Sequence, residues 1–376
     1  MALVVCEARP SVCSGHLFVR GPSHLNVNVV SQDGRLAVVD TQAERQLATI
    51  ALPPHVRPSG LERTHQDEHT NTSTFRLVLH PSDTPFHRKP SSVSTSETRS
   101  SQQKACVKCT TCKAAVSPPL QPYRLPSLRW HEIQDFVNCC EDDHHTHVDL
   151  SVRIGEHSVL FDDEQLLLQR DQLITHDRQP LDTSTLSDEV VRCERCLASI
   201  GACAVFQGQP CVSLHRHAVH MDGGGLPAIS LVHAFIAVVQ ERMRSYGWSK
   251  FLVVVRGEVA TNPSHLLLWI PSPHVLDVVT CLLPLQNERN HTQETFSALK
   301  VLFKHSFASH SPTSSSDVVA AWHRDATVAE LETTMETLLA VVRVLESTHR
   351  LHPPAHRVMA SFPAAYLPLD HHLTTA

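Results

Sequence analysis

Short runs of alternating apolar and polar residues dominate the first part of the chain. Period-two alternation is found in the segments "HLFVR", "LNVNVV", "LAVVD" and "FRLVLH", with turn residues such as Asp33 and Gly34 between them. Successive side chains of a strand point to opposite faces of a sheet, so this pattern predicts antiparallel strands. We therefore expect a β-rich N-terminal region over residues 1–88.

The second half of the chain has longer apolar runs and two segments with helical spacing. Buried strands are predicted for "FLVVVRG", "HLLLWIP" and "SALKVLFK". Amphipathic helices are predicted over residues 226–247, where Gly247 is a natural stop, and over residues 327–350, where Thr327 and Glu330 match a capping box. Strands and helices together predict an α+β C-terminal domain over residues 205–376.

Two further segments separate these regions. Residues 89–104, "KPSSVSTSETRSSQQK", contain almost no apolar side chain, which predicts a disordered Ser/Thr-rich linker. Residues 105–204 contain the closely spaced cysteines discussed below. The predicted fold class is α+β, with the β-rich N-terminal region and the α+β C-terminal domain joined around a zinc knuckle.

Charge and composition exclude several classes of function. The chain has 376 residues, a formal charge of −6 and no strongly basic stripe, so we expect no direct binding of nucleic acid. The N-terminal "MALVVCEARP" lacks the features of a signal peptide, and no apolar run is long enough to cross a bilayer. We expect a soluble intracellular protein with no membrane partner. In a reducing compartment its 12 cysteines favour metal binding over disulfides.

Two C-x2-C pairs predict a structural zinc site. Cys109 and Cys112 form the first pair, and Cys193 and Cys196 form the second. A C-x2-C turn brings two thiolates to one zinc ion, and two such turns complete a closed tetrahedral site. Chelation is then expected to destabilise both the front region and the C-terminal domain. Cys106 extends the first pair to C-x2-C-x2-C, and a role for it as a substitute ligand stays open.

Two other uses of these cysteines fit the sequence less well. A redox C-x-x-C pair follows a strand and opens a helix, whereas "CTTCKAAVS" and "CERCLASIG" lead into strand-like segments. A RING-type ligase needs eight ligands with a Cys-x-His step between its pairs, and that step is missing here. The structural zinc remains the favoured prediction.

The segment "SLRWHEIQDFVNCC" ends in two adjacent cysteines. Ser127 can cap a short helix in which Trp130, Ile133 and Val137 share one face. The helix places Cys139 and Cys140 at its end. Two interpretations stay open: the thiols are semi-buried at a helix terminus, or they are presented to a molecule outside this chain. In the second case the partner-binding residues are those on the apolar face and the two thiols, namely Trp130, Ile133, Val137, Cys139 and Cys140.

The order and context of these motifs resemble one family, the HECT-like ubiquitin ligases that bind ubiquitin-conjugating enzymes. The resemblance rests on "CTTC", "LPSLRWHEIQDFVNCC", "RIGEHSVLF" and "VRCERC", followed by "HLLLWI", "SALKVLFK" and "RVMASFPAAYLPL". It extends from about residue 100 to the end of the chain. The Trp-to-Cys-Cys segment is its most specific element.

The resemblance implies two different functions. Family members are described as ubiquitin-protein ligases that bind a ubiquitin-conjugating enzyme and cyclin B, which implies the cytoplasm and the nucleus. They are also described as partners of the metallo-β-lactamase endonuclease that cleaves pre-mRNA before polyadenylation. The Trp-to-Cys-Cys segment is similar to a motif that plugs the related integrator endonuclease with a cysteine. The alternative is therefore a non-enzymatic chaperone or inhibitor that docks through residues 125–140.

The position of the cysteines bears on the ligase interpretation. A HECT ligase has its thioester cysteine in a C-terminal lobe, but the last cysteine here is Cys281, within the apolar "VVTCLLPL". A buried thiol of this kind is expected to be inert. Direct transfer of ubiquitin would then use Cys139 or Cys140, which are the candidate catalytic residues. Whether the protein is an enzyme stays open at this point.

Overall fold

The structure is a computed structural model. It describes residues 2–21, 27–32, 35–41, 45–67, 71–80, 104–125, 153–162, 164–174, 190–206, 208–222, 226, 228–255, 264–283, 292–307 and 316–369.

The described residues are mainly strands, with few helices. The strands are β1 (Ala2–Arg9), β2 (Ser14–Arg20), β3 (Val27–Gln32), β4 (Arg35–Asp40), β5 (Arg45–Ala51), β6 (Pro58–Asp67), β7 (Thr72–Leu79), β8 (Ala105–Cys109), β9 (Ala115–Arg124), β10 (Ser158–Phe161), β11 (Gln165–Gln169), β12 (Val190–Arg192), β13 (Ser199–Phe206), β14 (Gln209–His215), β15 (Val219–Met221), β16 (Lys250–Val255), β17 (His265–Trp269), β18 (Leu276–Leu283), β19 (Thr292–Ser306), β20 (Val328–Thr333), β21 (Val358–Met359) and β22 (Phe362–Pro368). The α-helices are α1 (Leu231–Tyr246), α2 (Ser316–Arg324) and α3 (Met335–His349), and short 3-10 turns cover Pro10–Val12, Arg170–Gln172 and Pro354–His356.

Internal contacts divide the chain into two compact units. Unit 1 consists of Met1–Arg88 and Trp248–Ala376, and unit 2 consists of Lys89–Gly247. Unit 2 is thus inserted, in sequence, between the two parts of unit 1. The four-segment division predicted from the sequence stays a prediction. None of the described helices combines the length and the apolar character that a bilayer-spanning helix requires.

Unit 1 contains a sheet built from both ends of the chain. Its strand order is β20-β16-β17-β19-β18-β1-β2-β7-β6, and β22 pairs with β19 and with β21. The pair of β16 and β20 is parallel, whereas β1 is antiparallel to both β18 and β2. The N-terminal strands are therefore strands as predicted, and β1 joins them to the C-terminal strands in a single sheet.

A second, three-stranded sheet of unit 1 has the order β3-β4-β5. Leu36 and Val38, which alternate along β4, are buried together with Ile50 of β5. They pack in one cluster with Leu17 and Phe75 of the larger sheet. Side chains of this kind each gain roughly 1.5–3 kcal/mol on full burial. The period-two pattern of the N-terminal region thus supplies the inner faces of two packed sheets.

Of the two helices predicted in the second half of the chain, one lies where the sequence predicted it and the other starts later than predicted. Helix α1 lies within the predicted range: Ser230 accepts a hydrogen bond from the His233 N–H, and Gly247 ends the helix at a φ of 71°. The predicted start of the last helix at residue 327 is wrong, because residues 328–333 form β20. Thr334, not Thr327, is the N-cap of α3 and accepts the Thr337 N–H. The segment "VAELET" alternates between buried and solvent-facing positions, which suits a strand beside β16.

Unit 2 contains an eight-stranded sheet with the order β12-β13-β14-β11-β10-β9-β8-β15. Strands β9 and β10 are parallel, and the other pairs are antiparallel. Its core includes Val107, Leu120, Ile200, Val212 and Val219, and it surrounds the cysteines at the ends of β8 and β12.

Candidate functional site

The first C-x2-C turn follows directly on β8, whose last residue is Cys109. The Cys109 N–H donates to the Ala114 carbonyl at 2.9 Å, and the Lys113 N–H donates to the Cys109 carbonyl at 3.0 Å. Lys113 has a φ of 61°, in the left-handed region. These two hydrogen bonds close a tight turn that holds Cys109 and Cys112 on the same side.

The second C-x2-C turn, between β12 and β13, repeats this geometry. The Cys193 N–H donates to the Ala198 carbonyl at 2.9 Å, and the Leu197 N–H donates to the Cys193 carbonyl at 2.7 Å. Leu197 has a φ of 60° and occupies the position that Lys113 occupies in the first turn. The chain therefore forms two equivalent knuckles, which we call the first knuckle (residues 109–114) and the second knuckle (residues 193–198).

The two knuckles bring four sulfur atoms together. The Sγ atoms of Cys109 and Cys196 are 3.7 Å apart, and those of Cys112 and Cys193 are 3.5 Å apart. All four sulfurs lie within 4.8 Å of one another. Four thiolates at about 2.3 Å from one zinc ion would be about 3.8 Å apart along each edge of the tetrahedron. The predicted ligand set is thus assembled in a geometry that a tetrahedral metal ion can occupy.

The surroundings of the four thiols are partly apolar. Cys109 and Cys193 are buried within the core of unit 2, while Cys112 and Cys196 are partly exposed. The Ala198 N–H lowers the pKa of the Cys196 thiol, but desolvation and hydrogen bonds with the other three thiols raise it to about 12. A thiol binds zinc as the thiolate, so a metal ion at this site would displace protons.

Thr110 fixes the first knuckle to a neighbouring turn. Its backbone N–H donates to the Ala218 carbonyl at 2.9 Å, and its hydroxyl lies 2.9 Å from the same oxygen and 3.1 Å from the His217 carbonyl. The turn connects β14 to β15 and is part of the sequence "HRHAVH". Sequence reasoning did not find this contact, because no local pattern indicates it.

Relief of backbone strain gives a first testable prediction. We expect Lys113→Gly to stabilise unit 2 by about 0.5–1 kcal/mol. The left-handed conformation costs a non-glycine residue about 1–2 kcal/mol, and the extra entropy of an unfolded glycine offsets part of that gain. Urea unfolding of both proteins with zinc in excess measures the difference. A destabilised variant would show that the lysine side chain itself holds the turn.

The remaining predicted residues divide into two groups. Cys106 lies on β8 and is not part of the cluster of four. Cys281 is buried on β18, and burial raises the pKa of its thiol, as expected for an inert cysteine. The predicted partner-binding and catalytic positions lie outside the described residues: Trp130, Ile133, Val137, Cys139 and Cys140.

Comparison with known proteins adds the family. A family model described as HECT-like ubiquitin-conjugating enzyme (E2)-binding matches residues 7–364. No curated protein and no solved structure matches the chain. The family match spans nearly the whole chain and confirms the resemblance found in the cysteine and Trp-to-Cys-Cys motifs. The chain belongs to the HECT-like ubiquitin-conjugating enzyme (E2)-binding family.

Proposed function

We propose that this protein is a ubiquitin-protein ligase that binds a ubiquitin-conjugating enzyme and promotes ubiquitination, with unit 2 held together by a structural zinc ion. The observation that carries the proposal is the family match over residues 7–364. The family supports binding of the conjugating enzyme and a role related to ubiquitin. Ligase activity, cyclin B as a partner, and residence in the cytoplasm and nucleus are finer proposals that rest on the motif resemblance.

The proposed zinc ligands are Cys109, Cys112, Cys193 and Cys196. Four sulfurs within 4.8 Å, two of them buried, fit a closed site with no position left for water. The role of the metal is therefore structural: it ties β8 to the hairpin of β12 and β13. The α+β character of the C-terminal part belongs to the same proposal; the N-terminal and C-terminal strands themselves pair in one sheet, through β1 and β18.

Direct ubiquitin transfer requires an accessible thiolate, and Cys281 does not supply one. We place the transfer on Cys139 or Cys140. The thiolate would attack the thioester carbonyl that joins ubiquitin to the conjugating enzyme, and the enzyme's own cysteine would leave as a thiolate. The product is a new thioester on this chain, from which ubiquitin passes to a substrate amine.

A reconstituted reaction tests this step. With a charged conjugating enzyme, the wild-type protein is expected to form a ubiquitin adduct that is cleaved by reducing agent. The variant with Cys139→Ser and Cys140→Ser is expected to lose the adduct, while Cys13→Ser, a control outside the segment, keeps it. An adduct that survives the double substitution would overturn direct transfer through these thiols, and a scaffolding role would then account for any ubiquitination.

The alternative function is that of a non-enzymatic chaperone or inhibitor of the endonuclease of mRNA 3′-end processing. The feature that favours it is the segment 125–140, which combines an apolar anchor, Trp130, with two adjacent thiols. A thiolate is a strong ligand for zinc, so a dinuclear nuclease site can capture it. Purification from cells followed by mass spectrometry distinguishes the functions, because it shows whether a conjugating enzyme or the nuclease is enriched.

A further inference from the structure

The tip of the second knuckle has an unusual residue. The side chain of Leu197 is 67% exposed, and its backbone has a φ of 60°. An exposed leucine gains nothing from burial, and the left-handed conformation costs it about 1–2 kcal/mol. Residues with a strained backbone of this kind cluster at ligand-binding and other functional sites.

The first knuckle shows that the fold itself does not need a leucine there. Lys113 occupies the equivalent position with a φ of 61°, and its N–H makes the equivalent hydrogen bond to the first cysteine of its turn. The lysine side chain is exposed. A polar residue is thus compatible with the turn, so the turn itself does not require Leu197.

The surroundings of Leu197 indicate the chemistry of a partner. Arg192 and Arg195 are exposed in and beside the same turn, and the Arg192 guanidinium donates to the Leu197 carbonyl at 3.2 Å. Lys113 lies on the other knuckle of the same cysteine cluster. Within the described residues 190–198 the acidic residue is Glu194, against Arg192 and Arg195, in a chain whose net charge is −6. A local basic rim on an acidic protein favours a partner surface with acidic groups.

The second knuckle follows a strand at the edge of the sheet, and this strand adds an exposed residue to the surface around Leu197. Strand β12 ends the sheet of unit 2 and pairs only with β13 among the described strands. Its first residue, Val190, is 50% exposed. Two backbone hydrogen bonds close the knuckle, and the proposed zinc ion at its base would hold its tip on a rigid support. A rigid apolar tip loses little conformational entropy when it binds.

We propose that Leu197, with the cationic side chains of Arg195 and Lys113, is the surface that docks the ubiquitin-conjugating enzyme. This rests on the proposed function and specifies its binding site. The proposal requires an apolar depression rimmed by carboxylates on the conjugating enzyme. The leucine is the apolar anchor of the interface. The cations orient the partner as it approaches and increase the association rate constant.

Binding of purified ubiquitin-conjugating enzymes, immobilised one at a time, tests the proposal. We expect Leu197→Asn to weaken the interaction at least about tenfold, mainly through faster dissociation. Asparagine tolerates the left-handed conformation, so the turn is retained. Arg195→Ser is expected to slow association and to reduce its dependence on salt. The matched control is Val205→Ser, a valine that is 58% exposed at the far end of β13.

The outcomes separate this proposal from the one it rests on. If the wild-type protein binds none of the conjugating enzymes, the proposed function fails and the docking surface fails with it. If the wild type binds and Leu197→Asn binds equally well, only the docking surface is overturned. Zinc content shows that the turn is intact, and Leu197→Lys, which repeats the residue found in the first knuckle, replaces the asparagine variant if zinc is lost. A variant that turns a dimer into a monomer with unchanged enzyme binding would assign the surface to a second copy of this chain instead.

Discussion

Replacing Cys109 or Cys193 with serine is expected to release the proposed zinc ion and to unfold unit 2. Both thiols are buried, and a serine hydroxyl is not ionised at neutral pH, so a closed four-thiolate site loses a ligand that it cannot replace from solvent. Structural zinc contributes about 10–16 kcal/mol of apparent binding free energy in small zinc domains. This is as large as the whole stability of a typical domain, about 5–15 kcal/mol.

Hydrogen exchange measured by mass spectrometry locates the effect. The amide protons of Cys109 and Cys193, which close the two knuckles, are expected to exchange much faster in the variants and after chelation. Elemental analysis of the pure protein should give one zinc ion per chain for the wild type and less for the variants. Cys106→Ser is the control, since this cysteine lies on the same strand but outside the cluster.

The extent of the unfolding is informative as well. The four cysteines all belong to unit 2, so we expect the loss of zinc to act there first. In a Trp130→Phe background the remaining tryptophans, Trp248, Trp269 and Trp322, all belong to unit 1 and report on it by fluorescence. A pure wild-type protein without stoichiometric zinc would overturn the metal site. A fluorescence change in unit 1 that accompanies chelation would show that the metal stabilises both units, as the sequence alone suggested.

The cluster of four cysteines could be predicted because it depends on local spacing. A C-x2-C turn has a fixed geometry, and the following Ala114 and Ala198 close it by backbone hydrogen bonds that any residue can make. The strands followed from period-two alternation for the same reason. The sequence could not predict the pairing of β1 with β18, because partners 269 to 281 residues apart leave no periodic signal. The sequence analysis did not single out Leu197, because a leucine is expected to be buried in the core unless its exposure is known.

A buried charge cluster in unit 1 was also beyond sequence reasoning. Glu7 on β1 is fully buried, yet it accepts hydrogen bonds from Lys300 at 2.8 Å and from the Tyr366 hydroxyl at 2.5 Å. The His352 ring stacks on Tyr366 with the ring centres 4.1 Å apart. Burial lowers the pKa of His352 to about 3, so this ring is neutral at pH 7. The cluster thus joins an N-terminal strand to partners near the other end of the chain.

We expect Glu7→Gln to destabilise unit 1 by about 3–5 kcal/mol. The amide has the shape of the carboxylate but not its charge, so the Lys300 ammonium, whose side chain is 13% exposed, loses its counter-ion inside the protein. Urea unfolding followed by tryptophan fluorescence measures the change, in a Trp130→Phe background that leaves only the tryptophans of unit 1. The control is Glu346→Gln, which removes a partner of His305 from a site where the Glu346 side chain is 53% exposed; a change below about 1 kcal/mol is expected there.

A second substitution tests the cause of that loss. If the unpaired ammonium is responsible, Lys300→Met should recover part of the stability of the Glu7→Gln protein, because it removes the buried charge and keeps an apolar stem. The two changes lie in one network, so a coupling energy of about 1–3 kcal/mol is expected. A Glu7→Gln protein as stable as the Glu346→Gln control would show that the ion pair contributes nothing net. Strict additivity of the two changes would show that the loss has another origin.

The same pair predicts how the stability of unit 1 depends on pH. Burial alone would raise the pKa of Glu7, but the charge of Lys300 and the hydrogen bonds from Lys300 and Tyr366 lower it to about 2. In the unfolded chain a glutamate titrates near its ordinary value of about 4.3, so the unfolded state binds the proton more tightly. The ionised Glu7 carboxylate contributes about 3 kcal/mol to the stability of unit 1. This contribution is complete at a pH well above the unfolded-state pKa of about 4.3, and it is lost as the pH falls towards 2. The difference in stability between wild type and Glu7→Gln is therefore expected to shrink on acidification, and a difference that stays constant from pH 6 to pH 3 would contradict the assignment.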